Sequence, residues 1–381
     1  MPRLLKILDA FQIVTGWWGH QPGRTIVGDV PTAHIQSGHA KSWNALKILF
    51  IICTLIVVHV SYAQDLHFSQ FFNNPLLTNP ANTGFIPDAD YRLGASYRNQ
   101  YSNIMAVPYQ TMSIYGDAQV FRNKIETGWL GLGGVILHDV AGTGSLTSTK
   151  IYGSVAYHQM LGLSSLLTAG FNVGWANKRI DQSKLTFPDQ FDGQFFDGSL
   201  PTSVMLLNNN VSYFDMQAGI NYAYFPTQDI YINAGYSIQH VNQPKETFFE
   251  DNGNSTLSVR HIGFLNGIFK ANENVIINPN IYYTQQAKSS ELVLGLNAAY
   301  NLSGDGSKQI IGGLYYRYGD AVIPMVGLEI NNIRFTFSYD VTTSSLRNFN
   351  NSYGASEFNI LKKGFYSDYN GDKKQALCPT F

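Results

Sequence analysis

The chain has 381 residues and a formal net charge of −1, so it can bury a large core and gives no sign of a polyanionic partner. Charged residues make up only 13% of it, about half of the usual share in a soluble globular protein. The mean hydropathy of −0.10 excludes a bundle of membrane helices. Abundant Tyr, Phe and Gly fit strands with one face in lipid and one in water, or a secreted β-sandwich.

An apolar stretch in the N-terminal region has the features of a secretory signal. Lys47 precedes an uncharged run over 48–58, and the small residue Ala63 stands directly before the predicted cleavage point at Gln64. The run is shorter than the roughly 20 apolar residues that a spanning helix needs. We therefore predict a leader over 1–63, whose beginning lacks periodicity and is interpreted as an over-extended translation start.

The rest of the chain alternates apolar and polar residues with a period of two between turn signals. In "INYAYFPTQDIYINAGYSIQ" (220–239), Ile230, Ile232 and Ile238 alternate with small or polar residues. Most such runs are about ten residues long, which is enough to cross a bilayer when tilted. The pattern predicts fourteen strands, over 91–98, 109–119, 129–138, 148–160, 165–176, 213–225, 229–239, 258–269, 275–286, 291–301, 309–318, 322–331, 333–341 and 354–361.

The connections between these strands differ in length in an alternating way. The even-numbered connections include the tight turns 226–228, 271–274 and 331–332, whereas the odd-numbered ones include 177–212 and 240–257. Outer-membrane barrels have short periplasmic turns and longer external loops. A sandwich has no reason to segregate its loops in this way, so the connections favour a barrel.

Seven ionisable residues lie on the strand faces opposite the apolar stripes. A charge that faces lipid costs roughly 2–4 kcal/mol at the bilayer midplane, whereas in a closed barrel these side chains would line the lumen and could pair. We predict an all-β fold, a transmembrane antiparallel β-barrel of about 14 strands over 91–361, with Ile230 to Ile238 facing lipid. A tail over 362–381 follows. The predicted lumenal charges are Arg92, Arg98, Asp215, Arg317, Glu329, Arg334 and Asp340.

Two segments outside the strands are candidates for contact with a partner. Residues 64–90 are rich in Asn and Pro, and Pro75 and Pro80 argue against an additional strand. This segment either caps the lumen or the periplasmic face, or docks to a periplasmic partner. The loop 177–212 carries aromatic and acidic residues, which either plug the lumen or form a partner surface. Its candidate residues are Phe187, Asp189, Phe191, Asp192, Phe195 and Phe196.

We predict no catalytic, cofactor or metal site. Asp368, Asn370 and Asp372 begin like a calcium loop, but Lys373 occupies the position of the required glycine. No serine in a nucleophile-elbow context accompanies the histidines at the strand ends. Recognition, without bond chemistry, is therefore the expected activity.

Several collinear blocks of the chain resemble one known family. They are "QDLHFSQFFNNPLLTNPANTGF" (64–85), "VPYQTMSIYGDA" (107–118), "HDVAGTGSLTSTKIYGSVAYHQML" (138–161), "NKRIDQSKLTFPDQFDGQFFDG" (177–198) and "FSYDVTTSSL" (337–346). These blocks are similar to the PorP/SprF family of Bacteroidetes outer-membrane proteins, and the resemblance runs from Gln64 to Phe381.

The resemblance implies a component of the type IX secretion system in the bacterial outer membrane, exported through a cleaved signal peptide. Such a protein is expected to bind or guide exported cargo with a type B C-terminal domain, such as gliding adhesins, and to support its secretion or surface attachment. The implied partners are this cargo, other components of the secretion system and outer-membrane lipid, with no nucleic acid. The alternatives are a general diffusion porin or a barrel enzyme that acts on lipid or protein.

Overall fold

The computed structural model describes residues 66–122, 124–204, 208–249 and 255–366. The predicted cleavage point between Ala63 and Gln64 and most of the tail lie outside these residues. Within them, no helix combines the length and the apolar character that membrane crossing would require. The helices that are described are single turns, such as Pro75–Thr78 and Arg347–Asn350.

Fourteen antiparallel strands form a closed barrel in which each strand pairs with its neighbours in sequence and β14 pairs with β1. The predicted fold class and number of strands are confirmed. The strands are β1 Tyr91–Gln100, β2 Tyr109–Val120, β3 Gly128–Ala141, β4 Leu146–Met160, β5 Ser165–Arg179, β6 Asn210–Thr227, β7 Ile230–Gln239, β8 Arg260–Asn272, β9 Val275–Gln286, β10 Ser289–Asn301, β11 Lys308–Arg317, β12 Ala321–Ile330, β13 Ile333–Thr342 and β14 Tyr353–Gly364.

Several strands are longer than the sequence pattern indicated. The ladder between β3 and β4 continues to the pair Ala141 and Leu146, which shortens their connection to 142–145. β14 likewise continues to Gly364, which pairs with Tyr91. The residues at these ends are mostly polar or small, so they carry no alternation, but their backbone groups still pair in the ladder.

The barrel is apolar outside and polar inside. Ile114 is 64% exposed, whereas its neighbour Ser113 is buried. The same alternation places Ile232 and Phe335 outside and Ser237 and Ser338 inside. Because closure also pairs every strand edge, the backbone polar groups of the strands have the hydrogen-bond partners that a lipid environment requires. The strand faces thus have the distribution of apolar and polar side chains expected of a membrane barrel.

The two ends of the barrel have different connections. The longest connections, over 180–209, 240–259 and 343–352, all lie at one end, which we call the loop end. The loop end also has the short connections 142–145, 287–288 and 318–320, whereas at the opposite end, which we call the turn end, all the connections are shorter than eight residues and β1 begins and β14 ends. At Asn331 and Asn332, both φ angles are positive, as a two-residue type I′ hairpin turn requires.

Residues 66–90, which we call the lumenal segment, run through the barrel from the loop end to the turn end. The carbonyl of Leu66 accepts a hydrogen bond from Arg260 at the loop end of β8, and the amide of Asp90 donates to Gly364 at the turn end. The buried core lies between this segment and the wall. Phe71 stacks on Tyr282 with ring centroids 4.7 Å apart.

Candidate functional site

The predicted contact residues of the β5–β6 connection lie in an ordered loop at the loop end. Phe187 precedes a turn of 3-10 helix over Pro188–Gln190. Phe191 and Phe196 form a β-bridge, and their ring centroids are 5.3 Å apart. Phe191, Phe195 and Phe196 are nevertheless 47%, 72% and 61% exposed. The loop therefore presents aromatic surface to its surroundings.

The acidic residues of this loop hold its turns in place. Asp192 accepts hydrogen bonds from the backbone amides of Phe195 (2.6 Å) and Gln194 (2.7 Å), which lower the pKa of its carboxyl group. Asp189 accepts from the amide of Ser203 (2.6 Å), and this bond lowers its pKa in the same way. In the described parts of the chain, no group of three or more acidic, His or Cys side chains is arranged to hold a metal ion.

Three of the predicted lumenal charges meet at the loop end. Asp340 is 2.9 Å from Arg98 and 3.0 Å from Arg317. Ser69 of the lumenal segment lies between the two arginines, since its hydroxyl accepts from Arg98 (2.5 Å) and Arg317 (2.6 Å) and donates to Asp340 (2.9 Å). The segment thus completes an ion cluster that the wall alone would leave open.

Glu357 anchors the same part of the segment through the backbone. Its two carboxylate oxygens accept from the amides of Ser69 (2.7 Å) and Gln70 (3.0 Å), and the group is fully buried. Arg98 lies 3.4 Å from one of these oxygens. A buried carboxylate is stabilised by such charge-assisted hydrogen bonds, which also fix the position of the donor chain.

At the turn end, two further groups of charges contact the segment. Arg92 binds Asp117 through two hydrogen bonds of 2.7 and 2.9 Å and donates to the carbonyl of Asn82 at 2.7 Å. Asp117 also accepts from the amide of Gly84 at 2.6 Å. The second group joins three strands to the segment, with Glu329 bound to Arg334 (2.6 Å) and Lys363 (3.2 Å), and Lys363 bound to Asp88 of the segment (2.6 Å).

Asp215 stands apart from the other predicted lumenal charges. It is fully buried, and it accepts hydrogen bonds from the hydroxyl of Tyr152 (2.6 Å) and from Nδ1 of His240 (2.9 Å). His240 directly follows β7 and has a φ of 57°. The contact joins the wall to the beginning of the 240–259 loop.

Neutral polar side chains of the wall hold the carbonyl groups of the lumenal segment. Asn172 donates to Leu76 (3.1 Å), Gln239 to Leu77 (2.6 Å), Ser237 to Thr78 (2.7 Å) and Gln119 to Ile86 (2.6 Å). His158 Nε2 lies 2.8 Å from the carbonyl of Thr83, so this nitrogen carries the proton. An irregular backbone buried in this way needs such partners.

Glycines of the wall make room for the segment where its backbone approaches most closely. A Cβ atom on Gly170 would lie 2.4 Å from the backbone of Pro80 and Ala81, and one on Gly131 would lie 1.9 Å from the carbonyl of Thr83. A Cβ atom on Gly219 would lie 1.9 Å from Oδ1 of Asn79. These three residues, which we call the cradle glycines, set the depth at which the segment is held.

Sequence reasoning missed Asp117, Glu291 and Glu357 as lumenal charges, although their strand alternation places them on the polar faces. Arg317 lies 3.4 Å from Glu291, which adds another wall strand to the loop-end cluster. Sequence reasoning also missed the cradle glycines, because a glycine in a strand is equally consistent with a bend, a bulge or the close approach of another backbone. Only the path of the lumenal segment distinguishes these cases.

The fold and its filled, charged interior define a membrane β-barrel whose lumen is occupied by its own N-terminal region. The chain belongs to the PorP/SprF family of type IX secretion system membrane proteins, whose sequence model matches residues 60–361. The resemblance read from the sequence blocks is thereby confirmed. The family is one of secretion components rather than of enzymes. A comparison with curated protein sequences gives no match.

Several solved barrels are similar in architecture, at low sequence identity. The toluene transporter TodX of Pseudomonas putida is 12% identical, and the alignment covers 77% of this chain and 94% of TodX with a TM-score of 0.44. The CymD monoaromatic hydrocarbon channel is 10% identical over 81% of this chain and 95% of CymD, with a TM-score of 0.45. The Ralstonia pickettii toluene transporter TbuX is 13% identical over 76% and 93%, with a TM-score of 0.43.

Proposed function

We propose that this barrel lies in the outer membrane and binds an exported surface protein of the type IX secretion system at its loop end. The cargo class is that with a type B C-terminal domain, which includes gliding adhesins, and binding supports its secretion or surface attachment. The observation that carries the proposal is the exposure of Phe191, Phe195 and Phe196 on a loop that its own aspartates keep ordered. Ordered, exposed aromatic side chains favour protein contacts, because little conformational freedom is lost on binding.

The proposed orientation places the turn end in the periplasm and the loop end outside the cell. Outer-membrane barrels have short periplasmic turns and longer external loops, and the connections here divide in the same sense. β1 begins and β14 finishes at the turn end. In this orientation the loop that carries Phe191, Phe195 and Phe196, which we call the aromatic loop, is available to a surface protein.

The proposal includes removal of the leader at Gln64. Leu66 contacts Arg260 at the loop end, so the residue two positions after the proposed cleavage point is on the external side of the lumen. The run over 48–58 has the features of a secretory signal, which is removed in the mature protein. Mass spectrometry of the purified protein is expected to give Gln64 as the first residue, and a mature chain that retains the run would contradict the proposal.

The cargo contact is tested by replacing two exposed rings, Phe191→Ser together with Phe195→Ser. We expect the barrel to assemble, as judged by heat-modifiable mobility in SDS gels, while the cargo is lost from the cell surface. The matched control is Phe121→Ser, because Phe121 is 50% exposed at the opposite end of the barrel. Normal cargo display by the double variant would reject the loop as the contact site.

A further inference from the structure

A cavity lies beside the lumenal segment. It has a volume of about 420 Å³, within the range of ligand sites, and it is bounded by the segment and by the wall from β7 through β14 to β1. Asp305, Gly306 and Asn332 of the turn-end connections belong to its lining, so it reaches the turn end. The aromatic loop is at the opposite end of the barrel and does not line this cavity.

The wall of this cavity carries an array of asparagine side chains. Asn233 of β7 pairs in register with Asn266 of β8, and Asn266 pairs with Asn280 of β9. Asn278 of β9 pairs with Asn297 of β10 in the adjacent row. Directly opposite residues on neighbouring strands are about 5 Å apart, so the carboxamides form two short rows across the strands.

Part of this array lacks hydrogen-bond partners among the described residues. The carboxamide oxygens of Asn233, Asn266 and Asn278 are buried and accept no hydrogen bond. Asn233 is 94% buried as a whole, since its exposed fraction is 6%. A buried polar group without a partner costs free energy that a ligand with matching groups would recover.

Contacts with the lumenal segment show that carboxamide side chains of the wall bind peptide groups. Elsewhere in the lumen, carboxamide side chains donate to peptide carbonyls, with Asn172 bound to Leu76 and Gln239 bound to Leu77. A carboxamide both donates and accepts, so it matches the amide and carbonyl groups of an extended chain. Phe72, Ile276 and Ile311 also belong to the lining. They provide apolar contacts for every second side chain of an extended peptide.

Five of the six charged side chains in the lining are in ion pairs, and the sixth, Asp305, accepts hydrogen bonds from Ser303 and Ser307. Arg334 is bound to Glu329, and Lys363 is bound to Asp88. Arg92, which also belongs to the lining, is bound to Asp117. The cavity therefore offers hydrogen bonds without a strong net field, which favours an uncharged ligand over an ion or a highly charged peptide.

We propose that this asparagine-lined cavity binds a short, uncharged polypeptide segment in an extended conformation that enters from the turn end. Access from the periplasm rests on the orientation in the proposed function, whereas the binding itself does not. The site would add a second polypeptide beside the lumenal segment, held through its backbone.

The test uses the purified full-length protein and a library of capped, uncharged hexapeptides that carry a benzophenone group. Irradiation is expected to give cross-links to residues around the cavity, which mass spectrometry maps and unlabelled library competes away. In the variant Asn266→Leu with Asn278→Leu, cross-linking should fall by about tenfold, since two sites of hydrogen bonding are lost. Asn177→Leu, at the loop end of β5, is the matched control and should retain it.

A second variant separates loss of binding from loss of fold. Ala299→Phe places a ring in the cavity and should abolish cross-linking while heat-modifiable mobility is unchanged. Unaltered cross-linking in either variant, its absence from the wild-type cavity, or capture there of a benzophenone-labelled N-acetylglucosamine tetramer instead of peptide would overturn the proposal. No cargo is present in this assay, so its failure would leave the contact at the aromatic loop unaffected.

Discussion

Arg317 is bound by two aspartates whose surroundings differ. Asp340 and Asp320 each lie 3.0 Å from the same guanidinium nitrogen, but their side chains are 3% and 44% exposed. Water screens the exposed pair, so its contribution to stability is small. The buried pair is part of a network with Arg98 and Ser69, in which removal of one charge leaves another uncompensated.

The first prediction compares these two aspartates. Asp340→Asn should destabilise the barrel by roughly 3 kcal/mol, because it leaves two buried arginines short of a counter-charge. Asp320→Asn should cost less than about 1 kcal/mol, as expected for an exposed pair. Thermal unfolding in detergent, followed by the loss of heat-modifiable mobility, measures both. Equal effects would show that the loop-end cluster is not a stability determinant.

At the scale of elements, the lumenal segment and the strands around it depend on each other. The segment has no periodicity, and its carbonyls are held by side chains from β2, β5 and β7. The cradle glycines of β3, β5 and β6 allow its backbone to lie against the wall. A side chain at one of these positions would require the segment to move away from its hydrogen-bond partners.

The second prediction concerns this fit. Gly170→Ala should displace the turn around Pro80, since overpacking of this kind costs about 1–3 kcal/mol. Amide hydrogen exchange of residues 76–84 should then become about tenfold faster or more, with the barrel strands still protected. Gly263→Ala is the control, because a Cβ atom there meets nothing within 4 Å. Unchanged exchange in Gly170→Ala would contradict the close approach.

The third prediction concerns the order of the aromatic loop as a function of pH. Hydrogen bonds to the charged carboxylates hold the pKa of Asp192 and Asp189 below the ordinary value of 3.8. A lowered pKa stabilises the folded loop above that ordinary value, and this contribution is lost as the pH falls through the lowered pKa. The protection factors of the Gln194 and Phe195 amides, which are corrected for the intrinsic pH dependence of exchange, should therefore be larger at neutral pH than below the lowered pKa, and Asp192→Asn should remove the difference.

At the scale of the whole molecule, the lumenal segment occupies much of the barrel interior, with the asparagine-lined cavity beside it. The lumenal segment crosses the barrel from the loop end to the turn end and is anchored at both. Its residues from Phe68 to Phe71 and from Pro80 to Phe85 are buried. A general diffusion porin instead leaves an aqueous channel, so the interior found here favours recognition over free passage.

The fourth prediction follows from this filled interior. Liposomes that contain the intact protein should swell slowly in isotonic solutions of small sugars. Deletion of residues 68–86 should raise the rate strongly, because it removes the material that fills the lumen while the strands remain. Rapid swelling with the intact protein would favour the porin alternative.

The sequence by itself determined the number and direction of the strands and which of their faces meets lipid. Alternation with a period of two is a local property of each strand. It is present in the strands because polar groups on the lipid-facing side are costly. Connection lengths are equally local, so the two kinds of barrel end could be predicted. The fourteen strands predicted on this basis were confirmed, and the family, which was read from the resemblance of sequence blocks, was confirmed by the family model.

Only the tertiary structure decided how the interior is arranged. Arg98 and Asp340 are 242 positions apart, and their contact depends on the register with which β14 closes on β1 and on the serine that the lumenal segment places between them. A segment without periodicity carries no signal of its path, so its anchors, the cradle glycines and the asparagine-lined cavity could not be read in advance. Each of these arises from contacts between elements distant in sequence, which local patterns do not encode.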